Sequence, residues 1–454
     1  MSGADTGMEA GAAAAAPVPS TEAATAALLA LGDDALLEHL QRAAIDYFLQ
    51  TANPANGLVA DTTREGSPCS IAVVGFALSA YTIAIERGWL ARDEALARSL
   101  AVLRFFRDSE QGEAPLATGH RGFYYHFLDM HSGRRMWQSE LSMIDTALLL
   151  AGALTAASYF TADTAPEREL RAIVDALYRR VDWCWAQGGE ATLRQGWKPE
   201  SGFLNYGWDG YNEGLILYVL ALGSPTHAID PGHYAAWTAT YQWENLYDID
   251  FLYAGPLFIH QFSHAWIDFR GIRDAFMREK RCDYFENSRR ATEVQREYAR
   301  RNPLAFRGYA GDCWGLTACD GPSDPPAALA TTRLRLFGYA ARGVPYGPDD
   351  GSIGGWAPLA SLPFAPELVL RTTRTMLQRY PEILPKQQFA SSFNPSLAAA
   401  DGPAWVSVGH FGLDQGIVSL MIENQRSGLV WRLMRGCPAI RRGLQRAGFR
   451  GGWL

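Results

Sequence analysis

Residues 142–159, SMIDTALLLAGALTAASY, form a helical stretch that is apolar nearly all round and carries one charged residue, Asp145. A helix of this kind must be covered on every side, so it belongs in a protein core. Five other stretches have the same character and predict further buried helices. They are 69–87, 212–223, roughly 257–269, roughly 353–363 and 411–424.

A second kind of helix alternates with the first and has one charged face. The amphipathic stretches are 35–50, 93–108, 166–187, 231–245, 283–301, 366–380 and 430–446. Alternation of buried and half-exposed helices without a visible sequence repeat predicts an all-α fold. The expected architecture is an (α/α)6 toroid, a double ring of six inner and six outer helices. The alternative is a two-layer helical domain with a small β domain near 300–350, where Gly and Pro are dense.

Long loops separate the helices and are rich in Gly, Pro, Trp, Tyr and His. They cover 109–141, 188–211, 302–352 and 381–410. Long irregular segments in a compact domain are usually functional, so we expect these loops to form a cleft at one end of the ring. Residues 1–30 read as a disordered Ala-rich tail, and residues 31–454 as a single catalytic domain.

Composition excludes several classes of function. The 454 residues carry a net charge of −7 without a basic block, which gives no support to a nucleic-acid partner. No stretch is long and apolar enough to predict a membrane span. Six cysteines without a C-x-x-C spacing argue against a disulfide framework or a zinc ribbon, although Cys313 and Cys319 could pair. Phosphate-binding and serine-hydrolase motifs are missing, so we expect no cofactor.

Two pairs of acids lie where loops enter the apolar helices. Glu140 and Asp145 occur in SELSMIDTALLL, and Asp209 and Glu213 occur in WDGYNEG. Glu140 is expected just before its helix, because five residues correspond to about 140° around an ideal helix. Two acids from different helices, surrounded by aromatic and Gly-rich loops, suit glycoside hydrolysis. One carboxyl protonates the leaving oxygen, and a second carboxylate activates water or attacks the sugar.

A purely structural interpretation of these acids stays open at this point. Ser142 and Asp145 match a capping box. Glu213 in a first helical turn could simply stabilise the helix through a favourable interaction with its dipole. A helix start lowers the pKa of a carboxyl, whereas burial beside Trp208 and Tyr211 would raise it, as a general acid requires.

The stretch FIHQFSHAWIDFR offers a rival site. His260, His264 and Asp268 lie at i, i+4 and i+8, a spacing found on metal-binding helices. Gln261 stands where zinc proteases have a glutamate, and one helix rarely gives three ligands to one metal. We therefore expect no metal, and expect this helix face to donate hydrogen bonds in a polar cleft.

Other candidates are weaker when taken singly. Asp414 at the start of the last apolar helix is most simply a helix cap. Asp349 and Asp350, followed by a glycine, most simply form a turn. Several tryptophans are expected mainly in the core, with one or two stacking on a ligand. These are Trp137, Trp243, Trp266, Trp314 and Trp405.

Five motifs together resemble the bacterial glycoamylase-like family, which includes endo-β-1,2-glucanases. They are SPCSIAVVGFALSA, SELSMIDTALLLAGAL, YNEGLILYVLALGSPTH, QFSHAWIDFRG and FGLDQGIVSLMIENQRSGLVW. They occur in order from about residue 37 to 446, so the resemblance covers nearly the whole chain. It implies an (α/α)6 toroid and an inverting hydrolase of β-glucan, most simply a β-1,2-linked one.

The resemblance also implies roles for individual residues. Glu213 is expected as the acid/base group, with Glu140 or Asp145 positioning the substrate or water. The residues expected to bind substrate are Arg64, His126, Trp208, Asp209, Tyr211, His260, Gln261, His264, Asp268 and Trp314.

The predicted partner is an oligo- or polysaccharide, and the predicted state is a monomer. The N-terminus lacks an evident signal peptide, which indicates the cytoplasm, whereas the resemblance indicates the periplasm or secretion. Two alternatives remain: a transglycosylase or other glucan-processing enzyme on the same fold, and a non-catalytic glycan-binding protein.

Overall fold

Helices dominate the part of the chain that the computed structural model describes, residues 21–323, 335–398 and 402–454. The α-helices are α1 Thr21–Leu29, α2 Asp33–Thr51, α3 Ile71–Glu86, α4 Arg92–Asp108, α5 Met143–Tyr159, α6 Ala165–Arg180, α7 Leu215–Gly223, α8 Pro231–Thr238, α9 Ala275–Glu279, α10 Tyr284–Arg301, α11 Ala357–Ala360, α12 Pro366–Arg379, α13 Gly412–Arg426, α14 Leu429–Gly436 and α15 Pro438–Arg446. Single 3₁₀ turns cover Trp185–Gln187, Leu257–His260, Phe262–Ala265, Pro381–Ile383, Pro385–Gln387 and Pro395–Leu397.

The apolar helices lie in the core, as their composition predicts. Helix α3 packs between α5 and α13, α5 also contacts α7, and α13 also contacts α11. All nine residues of α7 are buried. A surface helix would leave one face in water, so complete burial shows that other elements surround α7.

Amphipathic helices cover this layer. Helix α2 packs on α13, α15 packs on α7, and α4 pairs with α6. Buried polar side chains link the two layers where α2 crosses α13: Gln41 donates to Glu423, and Arg87 pairs with the same carboxylate at 2.9 Å. This pairing satisfies a charge that would otherwise be costly to bury.

Two glycines allow one of the closest helix contacts of the core. A Cβ added to Gly152 of α5 would lie 1.9 Å from the carbonyl oxygen of Gly75 in α3, and one added to Gly75 would lie 2.2 Å from the carbonyl oxygen of Leu148. Backbones can approach so closely only where no side chain intervenes. The two helices are therefore fixed against each other at this crossing.

Some predicted helix limits are wrong. The stretch 257–269 forms two 3₁₀ turns rather than one α-helix, and the helix predicted over 353–363 is the single turn α11. The helix predicted over 231–245 ends at Thr238. The stretch 430–446 is divided into α14 and α15 at Pro438, whose ring removes a backbone donor and begins the second helix.

Short strands brace the long loops. They are β1 Cys69–Ser70, β2 Gly119–His120, β3 Phe123–Tyr125, β4 Phe127–Leu128, β5 Leu141–Ser142, β6 Gly196–Lys198, β7 Gly202–Phe203, β8 Trp243–Leu246, β9 Ile249–Leu252, β10 Ala318–Cys319, β11 Ala340–Ala341, β12 Phe393–Asn394 and β13 Trp405–Val406. The largest sheet is antiparallel, in the order β2-β3-β5-β6-β7. Within 300–350 the described residues form only the two-residue strands β10 and β11, which gives no support to a separate β domain.

The predicted disordered tail is too long at its C-terminal end. Residues 1–20 lie outside the described residues, but Thr21–Leu29 form α1, which packs on α12. Leu28 is buried there, so this Ala- and Leu-rich segment gains an apolar contact that composition alone does not reveal.

The structure also bears on the expected disulfide and on the expected lack of a membrane span. All six cysteines are free thiols, so Cys313 and Cys319 do not pair. Among the described residues, helices long and apolar enough to cross a membrane are missing.

Substitution of Gly152 by alanine tests the helix crossing. Because the new methyl group would overlap the α3 backbone, we expect Gly152→Ala to lower the free energy of unfolding by about 2–3 kcal/mol. Urea unfolding followed by circular dichroism measures this. The control is Gly436→Ala, at a helical position where an added Cβ meets nothing within 4 Å. It should change stability by less than about 0.5 kcal/mol. Equal effects of the two substitutions would contradict the overlap.

Candidate active site

A cavity of about 510 Å³ lies where the loops meet the ends of the buried helices. Five carboxylates line it: Asp61, Glu140, Asp145, Glu213 and Asp414. The wall is otherwise largely aromatic, with Phe127, Trp208, Phe258, Phe262, Tyr339, Trp356 and Phe411. Acids in a largely apolar cavity feel neighbouring charges strongly, because little water screens them.

The strands of the main sheet bring His126 and Glu140 together. The backbone N–H of His126 donates to the carbonyl oxygen of Glu140 over 3.0 Å, beside the β3–β5 pairing. Their side chains meet on the same side, with 2.9 Å between His126 Nδ1 and Glu140 Oε1. Gly196 in β6 leaves the space that the Glu140 side chain fills, since a Cβ there would lie 2.8 Å from Glu140 Cγ.

Asp145 joins this cluster from the first turn of α5. Ser142 caps the helix by accepting from the Asp145 N–H over 3.1 Å, and its hydroxyl donates to Asp145 Oδ2 over 2.5 Å. The same carboxylate oxygen lies 3.6 Å from His126 Nδ1. The Ser142 half of the predicted capping box is therefore present, whereas the Asp145 carboxylate accepts from the Ser142 hydroxyl and lines the cavity.

Charge is unevenly distributed in the His126 cluster. Burial opposes a charge on His126, but the Asp145 carboxylate and the hydrogen bond with Glu140 outweigh it and raise the pKa of His126 to about 9. Burial also opposes ionisation of Glu140, yet the hydrogen bond with His126 brings the pKa of Glu140 below its usual value. A protonated His126 thus keeps Glu140 ionised near neutral pH.

Glu213 has the opposite protonation preference. It precedes α7, whose first residue is Leu215, and its carbonyl oxygen accepts from Ser263 Oγ over 3.1 Å. Burial, with a smaller contribution from the Asp145 charge, raises the pKa of Glu213 to about 7. Helix α7 has no side-chain cap. Glu213 is therefore a half-buried acid that lines the cavity rather than a helix cap.

Asp61 and Asp414 are site residues that sequence reasoning did not select. Burial raises the pKa of Asp61 to about 6, and burial raises the pKa of Asp414 well above its usual range. The sequence predicts that Asp414 caps α13, but α13 has no side-chain cap. The Oδ2 atom of Asp414 is buried without a hydrogen-bond partner. Asp61 lies in a turn-rich segment without a local pattern. The backbone bond from Gly412 N to Asp61 O brings the two segments together.

Sequence reasoning selected five residues of the cavity wall. They are Glu140, Asp145, Glu213, His126 and Trp208.

The residues predicted from FIHQFSHAWIDFR lie in the core instead. Burial lowers the pKa of His260 to about 4 and that of His264 to about 3, so both are neutral. His260 contacts the carbonyl oxygen of Ala254, and His264 contacts Ser288 Oγ. The predicted helix face does not exist, because the segment consists of 3₁₀ turns with about three residues per turn.

Gln261 and Asp268 have core partners as well. The Gln261 amide donates to the carbonyl oxygen of Ala357 and to Ser361 Oγ, both at 2.8 Å. Asp268 pairs with Arg270 and Arg435. The prediction that these two side chains line the cleft is therefore corrected.

Four other predicted substrate contacts also lie off the cavity wall. Tyr211 stacks on Tyr284 in the core, and Trp314 donates its indole N–H to Thr372. Arg64 pairs with Asp320, and its guanidinium lies 5.0 Å from the centroid of the Phe411 ring.

Asp209 is exposed and accepts from Thr192 Oγ1 at 3.2 Å. Although it lies only four residues before Glu213, Asp209 does not line the cavity.

A cation would fit among His126, Glu140 and Asp145. Ligand atoms of His126, Glu140 and Asp145 all lie within 4.8 Å of one another. A cation would have to displace the proton that the two carboxylates hold on His126, because a histidine ligand must be neutral.

Comparisons with known proteins identify the family of this chain. The family model named Glycoamylase, described as "Putative glucoamylase", matches residues 205–438. The chain belongs to this family. A crystal structure of a protein of the same description, from Bacteroides uniformis ATCC 8492, has a TM-score of 0.82 and 29% identity. It covers 93% of this chain and 99% of its own.

Two other similar proteins have names that state an activity. The endo-β-1,2-glucanase of Chitinophaga pinensis, solved with sophorotriose and glucose, has a TM-score of 0.79 and 27% identity, and covers 94% of this chain and 100% of its own. The exo β-1,2-glucooligosaccharide sophorohydrolase (non-reducing end) of Parabacteroides distasonis is 27% identical over 91% of this chain. The chain spans 58% of that protein's length.

Titration of His126 tests the charge distribution. Loss of the Glu140 charge in Glu140→Gln should lower the pKa of His126 from about 9 towards 6.5, as measured by NMR of the imidazole protons. The control is Glu113→Gln, whose carboxylate lies 3.9 Å from His120, and this should leave the His126 titration unchanged. Because the folded pKa is the higher one, proton binding by His126 stabilises the fold fully below about pH 6.5, and this stabilisation is lost as the pH rises through 9. A His126 midpoint that Glu140→Gln does not move would contradict the pairing.

Proposed function

We propose that this protein is a glycoside hydrolase that cleaves β-1,2-glucan by inverting general acid/base catalysis. The proposal rests on two carboxyl groups of one aromatic cavity with opposite pKa shifts: burial raises the pKa of Glu213 to about 7, and the hydrogen bond with His126 holds the pKa of Glu140 below its usual value. Glycoside hydrolysis needs two carboxyl groups in opposite protonation states. The printed names of the Chitinophaga and Parabacteroides relatives support the β-1,2 linkage.

Glu213 takes the role of the general acid. Its pKa of about 7 keeps a large fraction of the group protonated near neutral pH while leaving it acidic enough to donate. In the reaction its proton passes to the glycosidic oxygen as the bond to the anomeric carbon breaks. The resulting carboxylate regains a proton before the next turnover.

Glu140 and Asp145 act on the attacking water or on the sugar. The lowered pKa of Glu140 supports a proton acceptor, because an ionised carboxylate can take a proton from water as the water oxygen attacks the anomeric carbon. His126 touches both carboxylates and fixes their orientation. Attack on the face opposite the leaving oxygen inverts the anomeric centre.

The closed double ring is part of the proposal. Its support is a chain of contacts that continues past α7: Ser263 accepts from the Ile216 N–H of α7, and Gln261 of the neighbouring turn donates to Ala357 of α11. Helix α11 packs on α13, which packs on α3. This sequence of contacts supports an inner ring of an (α/α)6 toroid in one domain, predicted from the sequence over residues 31–454 and extended by α1, which packs on α12. A monomer in solution is proposed with it and is tested by light scattering.

Substitution of Glu213 tests the chemistry directly. We expect Glu213→Gln to lower kcat on β-1,2-glucan by about 10²–10⁴-fold, because the amide cannot donate the required proton. Release of reducing ends from β-1,2-, β-1,3-, β-1,4- and α-1,4-glucans measures activity and linkage. The matched control is Asp209→Asn, an exposed acid four residues earlier, which should retain activity within about twofold.

The outcomes of that assay separate the alternatives. Transfer products without net reducing ends would indicate a transglycosylase. Binding of glucan without turnover by the unmodified protein would indicate a binding protein. The base is identified with azide, which attacks the anomeric carbon in place of water and leaves a glycosyl azide. Azide should restore chain cleavage, measured as this product, to a variant that has lost its base but not to Glu213→Gln. The variants compared are Glu140→Gln, Asp145→Asn, Asp61→Asn and Asp414→Asn.

The pH profile supplies an independent test. Since Glu213 must be protonated to donate, kcat/KM should fall above about pH 7, by about tenfold for each further pH unit. On an activated substrate whose leaving group needs no proton, the alkaline fall should be much weaker. An alkaline limb of equal steepness on both substrates would argue against Glu213 as the acid.

A further inference from the structure

Trp137 exposes 64% of its surface, although a large indole is normally buried. It lies between β4 and β5, in the loop that leads to Glu140. By contrast, Trp266 and Trp314 are fully buried. The exposure of Trp137 is therefore an exception that needs a cause.

The loop does not let Trp137 turn inward. Trp137 and Gln138 have φ of 55° and 51°, so two successive residues occupy the left-handed region that side chains disfavour. Arg135, almost fully buried, donates to the carbonyl oxygen of Ser139 over 2.6 Å and pairs with Glu200 of the β6–β7 turn at 2.6 Å. These bonds close the loop on both sides of Trp137. Non-glycine residues held in this conformation concentrate at functional sites.

The indole is continuous with the cavity wall. Its ring centroid lies 5.2 Å from that of Phe127, which lines the cavity, and the Phe127 ring stacks on His126 with 4.0 Å between centroids. His126 contacts Glu140. Two ring contacts thus separate the exposed indole from the carboxylate cluster.

We propose that Trp137 forms an outer glucosyl subsite, stacking on a sugar ring of the chain that extends out of the cavity. The assignment rests on the proposed function. The face of a glucosyl ring carries C–H groups, which pack against the face of an aromatic ring, while its hydroxyls stay in water at the rim. Trp137 then determines which chain lengths bind well, and touches no reacting bond.

The test uses β-1,2-gluco-oligosaccharides from the trisaccharide to the octasaccharide. Trp137→Ala should raise KM for the long oligosaccharides by about tenfold and change the trisaccharide by less than about twofold, with kcat at saturation retained in both cases. Trp137→Phe should restore most of the lost affinity, because a smaller aromatic face remains. The matched control is Tyr346→Ala, an equally exposed aromatic residue (68%) that contacts Tyr253 away from the cavity wall.

Binding to Glu213→Gln separates this proposal from the proposed function. Calorimetry of the octasaccharide on Glu213→Gln, with and without Trp137→Ala, measures affinity without turnover. No binding to Glu213→Gln would overturn the substrate class and the subsite together. Binding that Trp137→Ala weakens equally at every chain length, or does not weaken at all, would overturn the subsite alone.

Discussion

The close approach of α3 and α5 at Gly75 and Gly152 fixes the position of the first turn of α5. Asp145 belongs to that turn, and Ser142 caps it, so the crossing also fixes one wall of the cavity. Glu140 directly precedes the β5 strand that runs into α5, and β5 pairs with β3, the strand that leads to His126. The helix crossing and the β3–β5 pairing together place three ionisable groups, His126, Glu140 and Asp145, beside one another.

The cavity keeps two kinds of carboxyl group apart by giving them different neighbours. His126 supplies a positive charge to Glu140, whereas Glu213 has an apolar surrounding and feels only like charges. The helix dipole would by itself favour ionisation of an acid just before α7, but burial is the larger effect at Glu213. Because His126 contacts Glu140 but not Glu213, one carboxyl group is ionised and the other retains its proton at the same pH.

Much of this arrangement could be predicted from the sequence. Apolar periodicity identified the helices α3, α5, α7 and α13, and their loop-proximal acids led to Glu140, Asp145 and Glu213. The prediction was wrong where it assumed the 3.6-residue period of an α-helix. His260, His264 and Asp268 share a face only in an α-helix, and the segment winds as 3₁₀ turns, in which each side chain found a core partner. Asp61 could not be found, because it enters the cavity through a backbone contact with Gly412, 351 positions along the chain, and tertiary contacts of that kind leave no local pattern.

Five carboxylates in one cavity also have a thermodynamic cost. Each raised pKa among them means that the folded chain resists a charge that the unfolded chain accepts freely, so Asp61, Glu213 and Asp414 weaken the fold as the pH rises. The cavity therefore lowers the free energy of unfolding, and burial of the apolar helices around it offsets this loss. Selection for thermal robustness alone would replace these acids by amides or alkyl groups. Their presence together therefore marks the part of the molecule where stability has been given up, and a hyperstable variant of this chain would be expected to have lost its acids first.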